Sequence, residues 1–283
     1  MSAREIVVDG TRIHFEEAGS GPMLFLVHGL GASSAVWRHT VDAFSDRWRV
    51  IAPDLPGHGR SGKPDAPYTI DFYAGFLRSL GHALGVDEAV VMGNSLGGHI
   101  AIELALTYPA WTRAVVLVAP AGGHWPVMRP VGWALGSLIR PDILRFVLPR
   151  SVDRCFYDST SPGCAERRLV LAERFVADDY PDFARAVARS LAGVLGHDRQ
   201  SLAELRQPLL LVWGRQDRLL PLSRSKRIVR QVGHARLAVL DRCGHIPMLE
   251  RPEEFNRLVA EFLRSVDAAP RQRSSRRAAA ANS

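Results

Sequence analysis

The chain has 283 residues, 47% hydrophobic and 23% charged, with a formal net charge of +7. That balance excludes a wholly disordered or fibrous chain, and no run of about 18 apolar residues predicts a membrane-spanning helix. The positive charge is not gathered on any single predicted element, so no nucleic-acid partner is expected.

The first elements are two short alternating runs, REIVVDG and TRIHFEEAG, joined at Asp9-Gly10, a hairpin signal. Residues 23–29 (MLFLVHG) form a continuous apolar run ending at glycine, the pattern of a strand buried on both faces. Residues 48–54, 88–94 and 113–120 repeat that form. Helical patterns lie between them at 35–46, 70–84 and 95–108. Strands alternating with helices predict an α/β fold, with a mostly parallel sheet covered on both faces.

The rhythm breaks after residue 120. From His124 to Ser201 only helix-like segments occur, and Pro130, Pro141, Pro149, Pro162 and Pro181 are expected to cut them into pieces. The βα alternation resumes with a strand at 208–214, a helix at 222–232, a strand at 235–240 and a helix at 252–266. The expected organisation is therefore a core at 1–120 and 204–266, a helical insertion at 121–203, and a basic tail at 267–283. The tail carries four arginines and one aspartate and reads as a solvated, disordered end.

The chemistry starts at Gly93-Asn94-Ser95-Leu96-Gly97, a G-x-S-x-G motif between a predicted strand and a predicted helix. A tight strand-to-helix turn lifts a serine hydroxyl clear of the sheet. The helix start offers the Leu96 N–H to a developing oxyanion. Serine needs a base, and His245 follows the last predicted strand. An imidazole base needs a carboxylate to fix its tautomer, and Asp217 follows the preceding strand. All three then fall at the carboxyl edge of the sheet, where open α/β sheets place their sites. The loop His28-Gly29-Leu30-Gly31 supplies a second oxyanion donor, the Leu30 N–H, while His28 itself braces the loop. Asp54 to Ser61 reads as a stiff loop whose polar side chains tie its neighbours.

These motifs, HGLG (28–31), DLPGHGRS (54–61), GNSLGG (93–98), WGRQD (213–217) and CGHIPMLERPEEF (243–255), resemble those of the α/β-hydrolase superfamily. The resemblance spans residues 5–266. It implies an eight-stranded, mostly parallel sheet with helices on both faces and an inserted helical cap. It also implies hydrolysis of a small, mostly apolar ester, lactone or related substrate, with no metal or organic cofactor. Gly29, Asn94 and Ile246 are expected to line the substrate. Haloalkane dehalogenases and epoxide hydrolases of this fold carry aspartate at the elbow, so Ser95 argues against an alkyl-enzyme route. The elbow resembles that of meta-cleavage C–C hydrolases, but those carry an aromatic after the catalytic histidine, where this chain has Ile246. Their cap also supplies an arginine to the dienoate, and residues 121–203 hold eleven arginines, which spacing alone does not separate.

Carboxylesterase-like hydrolysis therefore ranks first and C–C hydrolysis second, with enol-lactone hydrolysis and cofactor-free haloperoxidase-type activity open. A small-molecule-binding module on the same fold is the non-enzyme alternative, and the complete Ser95–Asp217–His245 set argues against it. The apolar stretch from Val127 to Leu148 is expected to pack on the core and line an acyl pocket. A lid that meets a membrane surface is the other reading. Three cysteines, Cys155, Cys164 and Cys243, make no disulfide framework and point to a reducing, cytoplasmic location.

Overall fold

The computed structural model describes residues 2–122, 141–197 and 202–268. Strands β1 (Ser2–Val8) and β2 (Thr11–Ala18) form the expected hairpin, with Val8 opposite Thr11. Asp9 and Gly10 both take positive φ at the turn, the conformation that a two-residue hairpin loop requires. Next come β3 (Met23–Val27), a turn of 3₁₀ helix at Ser34–Trp37, α1 (Arg38–Phe44), β4 (Arg49–Pro53), α2 (Ile70–Ala83), β5 (Ala89–Asn94), α3 (Leu96–Thr107) and β6 (Thr112–Val118). The chain returns through β7 (Leu209–Gly214), α7 (Ser223–Gln231), β8 (Arg236–Leu240), the short α8 (Pro247–Glu250) and α9 (Pro252–Ala268).

The eight strands lie in the order β1-β2-β4-β3-β5-β6-β7-β8. The β1–β2 and β2–β4 pairs are antiparallel and the remaining five are parallel. Alternation along β3 shows why the central strands read as continuous apolar runs. Phe25 and Val27 enter the cluster under α2 and α3, while Leu24 and Leu26 enter the cluster under α1 and α9. Leu24, Phe25 and Leu26 are fully buried, and burying side chains of that size contributes about 1.5–3 kcal/mol each.

Three cap helices occupy the described part of 121–203: α4 (Pro141–Cys155), α5 (Pro162–Val176) and α6 (Tyr180–Gly196). Pro162 and Pro181 sit in first turns, where the missing N–H has no intrahelical partner to lose. Pro149 differs from expectation: it lies inside α4 and does not end it. Local side-chain bonds accompany it, with Arg150 donating to Phe146 O at 2.8 Å and Ser151 to Leu148 O at 2.7 Å. Helix α4 also divides the apolar stretch. Leu144, Leu148 and Val152 pack into the core at four-residue spacing, whereas Ile143, Phe146 and Val147 face outward, Phe146 with 68% exposure. The packing expectation thus holds for one face only; its Val127–Ile139 portion lies outside the described residues.

The last helix runs two residues beyond the expected end. Asp267, assigned to the tail from sequence, is in α9 and pairs with Arg113 at 2.8 Å. Residues 269–283 lie outside the described residues. No helix among the described residues is long and apolar enough to cross a membrane.

Candidate active site

Ser95 occupies the turn between β5 and α3 with φ 55° and ψ −114°. A non-glycine residue there is strained by roughly 1–3 kcal/mol and persists only when its surroundings enforce it. The surroundings are close-packed backbone. A Cβ on Gly93 would lie 2.1 Å from Gly97 O, and one on Gly97 would lie 2.1 Å from Val27 O. Only glycine fits at either position, which is the physical content of the G-x-S-x-G spacing.

The β7 and β8 ends deliver the other two residues. His245 Nδ1 and Asp217 Oδ2 are 2.7 Å apart, with both side chains almost fully buried. Asp217 Oδ1 accepts the backbone N–H groups of Leu219 and Leu220, each at 2.8 Å. Those two bonds fix the carboxylate, and the carboxylate places the imidazole proton on Nδ1. Nε2 is then the basic atom. It is buried and makes no hydrogen bond among the described residues, so the expected Ser95–His245 bond is not formed. Such a bond commonly tightens only when substrate binds.

Asn94, expected to line the substrate, also holds the frame. Its Nδ2 donates to Val118 O at 3.1 Å and to His245 O at 3.0 Å. No sequence signal marked this tie, because it joins positions 151 residues apart. Gly29 lies where a Cβ would be 3.2 Å from Ser95 Cβ, so the Gly29-Leu30 turn abuts the elbow from the β3 side. Leu96 opens α3 directly after Ser95. Ile246 is buried, in the cluster that continues into the cap through Leu148, Val152 and Phe156.

His28 braces the loop as expected. Leu55 N–H donates to its Nε2 at 3.0 Å, so the proton sits on Nδ1, which donates to Gly29 O at 2.8 Å. Burial keeps the ring neutral by holding its pKa below the ordinary value. Asp54 ties two loops, accepting Ser34 N–H at 2.6 Å and Arg60 N–H at 2.7 Å. A cavity of 410 Å³ lies between α5 and these loops, lined by Gly31, Asp54, Arg167, Arg174 and Phe183 among others. None of Ser95, Asp217 and His245 lines it.

One group of metal-donor side chains occurs among the described residues, away from the elbow. Asp71, Glu103 and His197 bring donor atoms within 4.8 Å of one another. His197 already contacts Glu103 Oε2 at 3.3 Å and His99 Nε2 at 3.1 Å.

Residues 24–258 match the family model described as "Alpha/beta hydrolase family". The chain belongs to the alpha/beta hydrolase family. Within that family it is 32% identical over 274 residues to the 2-hydroxy-6-oxononadienedioate/2-hydroxy-6-oxononatrienedioate hydrolase of Burkholderia vietnamiensis, covering 92% of this chain and 94% of that one. Among solved alpha/beta hydrolase structures it resembles a membrane phospholipase A, a bacterial virulence factor. That match has a TM-score of 0.79 and 28% identity over 95% of this chain and 87% of the other. It also resembles a meta-cleavage product hydrolase, with a TM-score of 0.77 and 28% identity over 93% and 98% of the two chains.

Proposed function

We propose that this alpha/beta hydrolase cleaves a small, mostly apolar carboxylic ester through an acyl-enzyme on Ser95. The observation that carries the reading is the buried Asp217–His245 pair, whose unengaged Nε2 shares a sheet edge with the strained Ser95. In the proposed cycle, Nε2 takes the hydroxyl proton as Ser95 Oγ attacks the carbonyl carbon. Asp217 stabilises the imidazolium. The N–H groups of Leu30 and Leu96 receive the oxyanion, and loss of one such donor lowers kcat by about 10²–10³. The imidazolium then protonates the leaving alkoxide. Water, deprotonated by the same nitrogen, releases the acid and restores Ser95.

A second reading is C–C hydrolysis of a dienoate, supported by the likeness to the Burkholderia relative named as a 2-hydroxy-6-oxononadienedioate/2-hydroxy-6-oxononatrienedioate hydrolase. Arg167 favours it. This cap arginine on α5 reaches Gly31 O at 3.4 Å, beside the loop that carries Leu30, and burial lowers its pKa. A guanidinium there is suited to a substrate carboxylate. Ile246, in place of an aromatic residue, keeps the ester reading first.

The test is a hydrolysis panel of short- and long-chain p-nitrophenyl esters, an enol-lactone and a meta-cleavage dienoate, each with wild type and Ser95→Ala. Serine-dependent turnover of the esters supports the first reading. Turnover of the dienoate alone, lost in Arg167→Ala, supports the second. Wild-type turnover by Ser95→Ala on every active substrate contradicts both.

A further inference from the structure

His245 is held from two sides through its own backbone. Its C=O accepts from Asn94, next to Ser95, and its N–H donates to Cys155 O at 2.6 Å. Cys155 is the last residue of cap helix α4. The imidazole thus hangs from a peptide stretched between elbow and cap.

Glu250, five residues further on at the end of α8, doubles the cap-side attachment. Its Oε1 accepts Gly244 N–H at 2.8 Å and its Oε2 accepts Tyr157 N–H at 2.7 Å. One oxygen holds the loop of His245 and the other holds the chain just past α4. Glutamine offers one acceptor and turns an NH₂ toward the second N–H, so only a carboxylate satisfies both donors at this reach. Burial raises the Glu250 pKa above its ordinary value, and the backbone N–H groups of Tyr157, Gly244 and Ile246 oppose that rise without cancelling it. The junction is also tight: a Cβ on Gly244 would lie 2.5 Å from Cys155 O, 2.8 Å from Tyr157 N and 3.0 Å from Glu250 Oε1.

We propose that Glu250 is a positioning residue that clamps the His245 loop to the cap, so that cap seating and placement of Nε2 are one event. The proposal rests on His245 being the base. Glu250 acts through the Gly244–His245 peptide and takes no proton from substrate.

The test compares Glu250→Gln, Glu250→Ala and Gly244→Ala with wild type, using p-nitrophenyl acetate turnover and the rate of fluorophosphonate labelling of Ser95 per folded molecule. A misplaced catalytic group lowers rate far more than binding, so kcat should fall about tenfold to a hundredfold with KM nearly unchanged. Labelling should slow in parallel, and Glu250→Gln, keeping one acceptor, should lie between wild type and Glu250→Ala. Gly244→Ala wedges the same junction, pressing on Cys155 O and on the carboxylate itself while leaving Glu250 in the sequence, and should give the same pattern. Full kcat in the folded variants, or losses that follow only the unfolded fraction, would overturn the clamp. His245→Ala separates the two claims. If it is inactive while the Glu250 and Gly244 variants are fully active, only the clamp fails. If it keeps wild-type turnover, the assignment of the base fails first.

Discussion

The Asn94 side-chain amide donates to the His245 carbonyl at 3.0 Å, joining the residue before Ser95 to a histidine 151 positions later. The same nitrogen donates to Val118 O, so one side chain ties the ends of β5 and β6 to the loop after β8. Asn94→Ala takes this donor from both carbonyls; Val118 O keeps the Ser95 N–H at 3.0 Å, so the loss falls mainly on His245 O, and an unsatisfied buried group costs about 1–3 kcal/mol. The expected outcome is a lower denaturation midpoint together with a fall in kcat exceeding the loss of folded protein. Chemical denaturation and ester turnover on one preparation check it.

Strain at Ser95 makes a prediction of opposite sign for stability. The position has φ 55° and ψ −114°, which glycine tolerates and alanine does not. Ser95→Gly and Ser95→Ala should both be inactive, yet the glycine variant should be the more stable by about 1 kcal/mol or more. Equal midpoints in guanidinium would mean that the elbow holds no strain at this residue.

Acid should weaken the fold in a defined window. Burial pushes His58 and His99 down to about 3 from an ordinary value of 6.5, with a neighbouring histidine adding to the shift in each case. Between these values the unfolded chain binds protons that the folded chain refuses. Stability is therefore complete above pH 6.5 and falls as pH drops toward 3, by about 1.4 kcal/mol per pH unit for each ring. His58 Nε2 is buried and makes no hydrogen bond among the described residues, and the ring stands edge-on to Tyr73 and Phe183. His58→Phe removes one titration while keeping a ring, and the stability slope from pH 6 to pH 4 should drop by one histidine's share. An unchanged slope would contradict the assignment.

The two faces of α4 should answer differently to truncation. Leu148 is 9% exposed and packs with Val152 and Phe156, whereas Phe146 is 68% exposed. Leu148→Ala should cost about 2–4 kcal/mol. Phe146→Ala should stay within about 0.5 kcal/mol, as surface substitutions do. Thermal melts of both variants decide it.

How far the molecule could be read from sequence follows from the range of the interactions. Ser95, Asp217 and His245 each stand just past a strand whose apolar run is visible locally, and parallel strands deliver such positions to one edge. The hairpin at Asp9-Gly10 is equally local. The roles of Asn94 and Glu250 depend on which carbonyl or N–H arrives beside them from another element, and no spacing encodes that. Pro149 misled because a proline removes only one i→i−4 bond, here the one to Arg145 O, and the helix continues past it to Cys155. The outward face of α4 was hidden because leucine, isoleucine and phenylalanine read alike until the core is located.

Mass spectrometry of the enzyme quenched during p-nitrophenyl acetate turnover tests the central claim most directly. The account predicts an acetyl group on the peptide containing Ser95, absent from Ser95→Ala and much reduced in His245→Ala. Steady ester turnover with Ser95 never acylated, and persisting in Ser95→Ala, would contradict it.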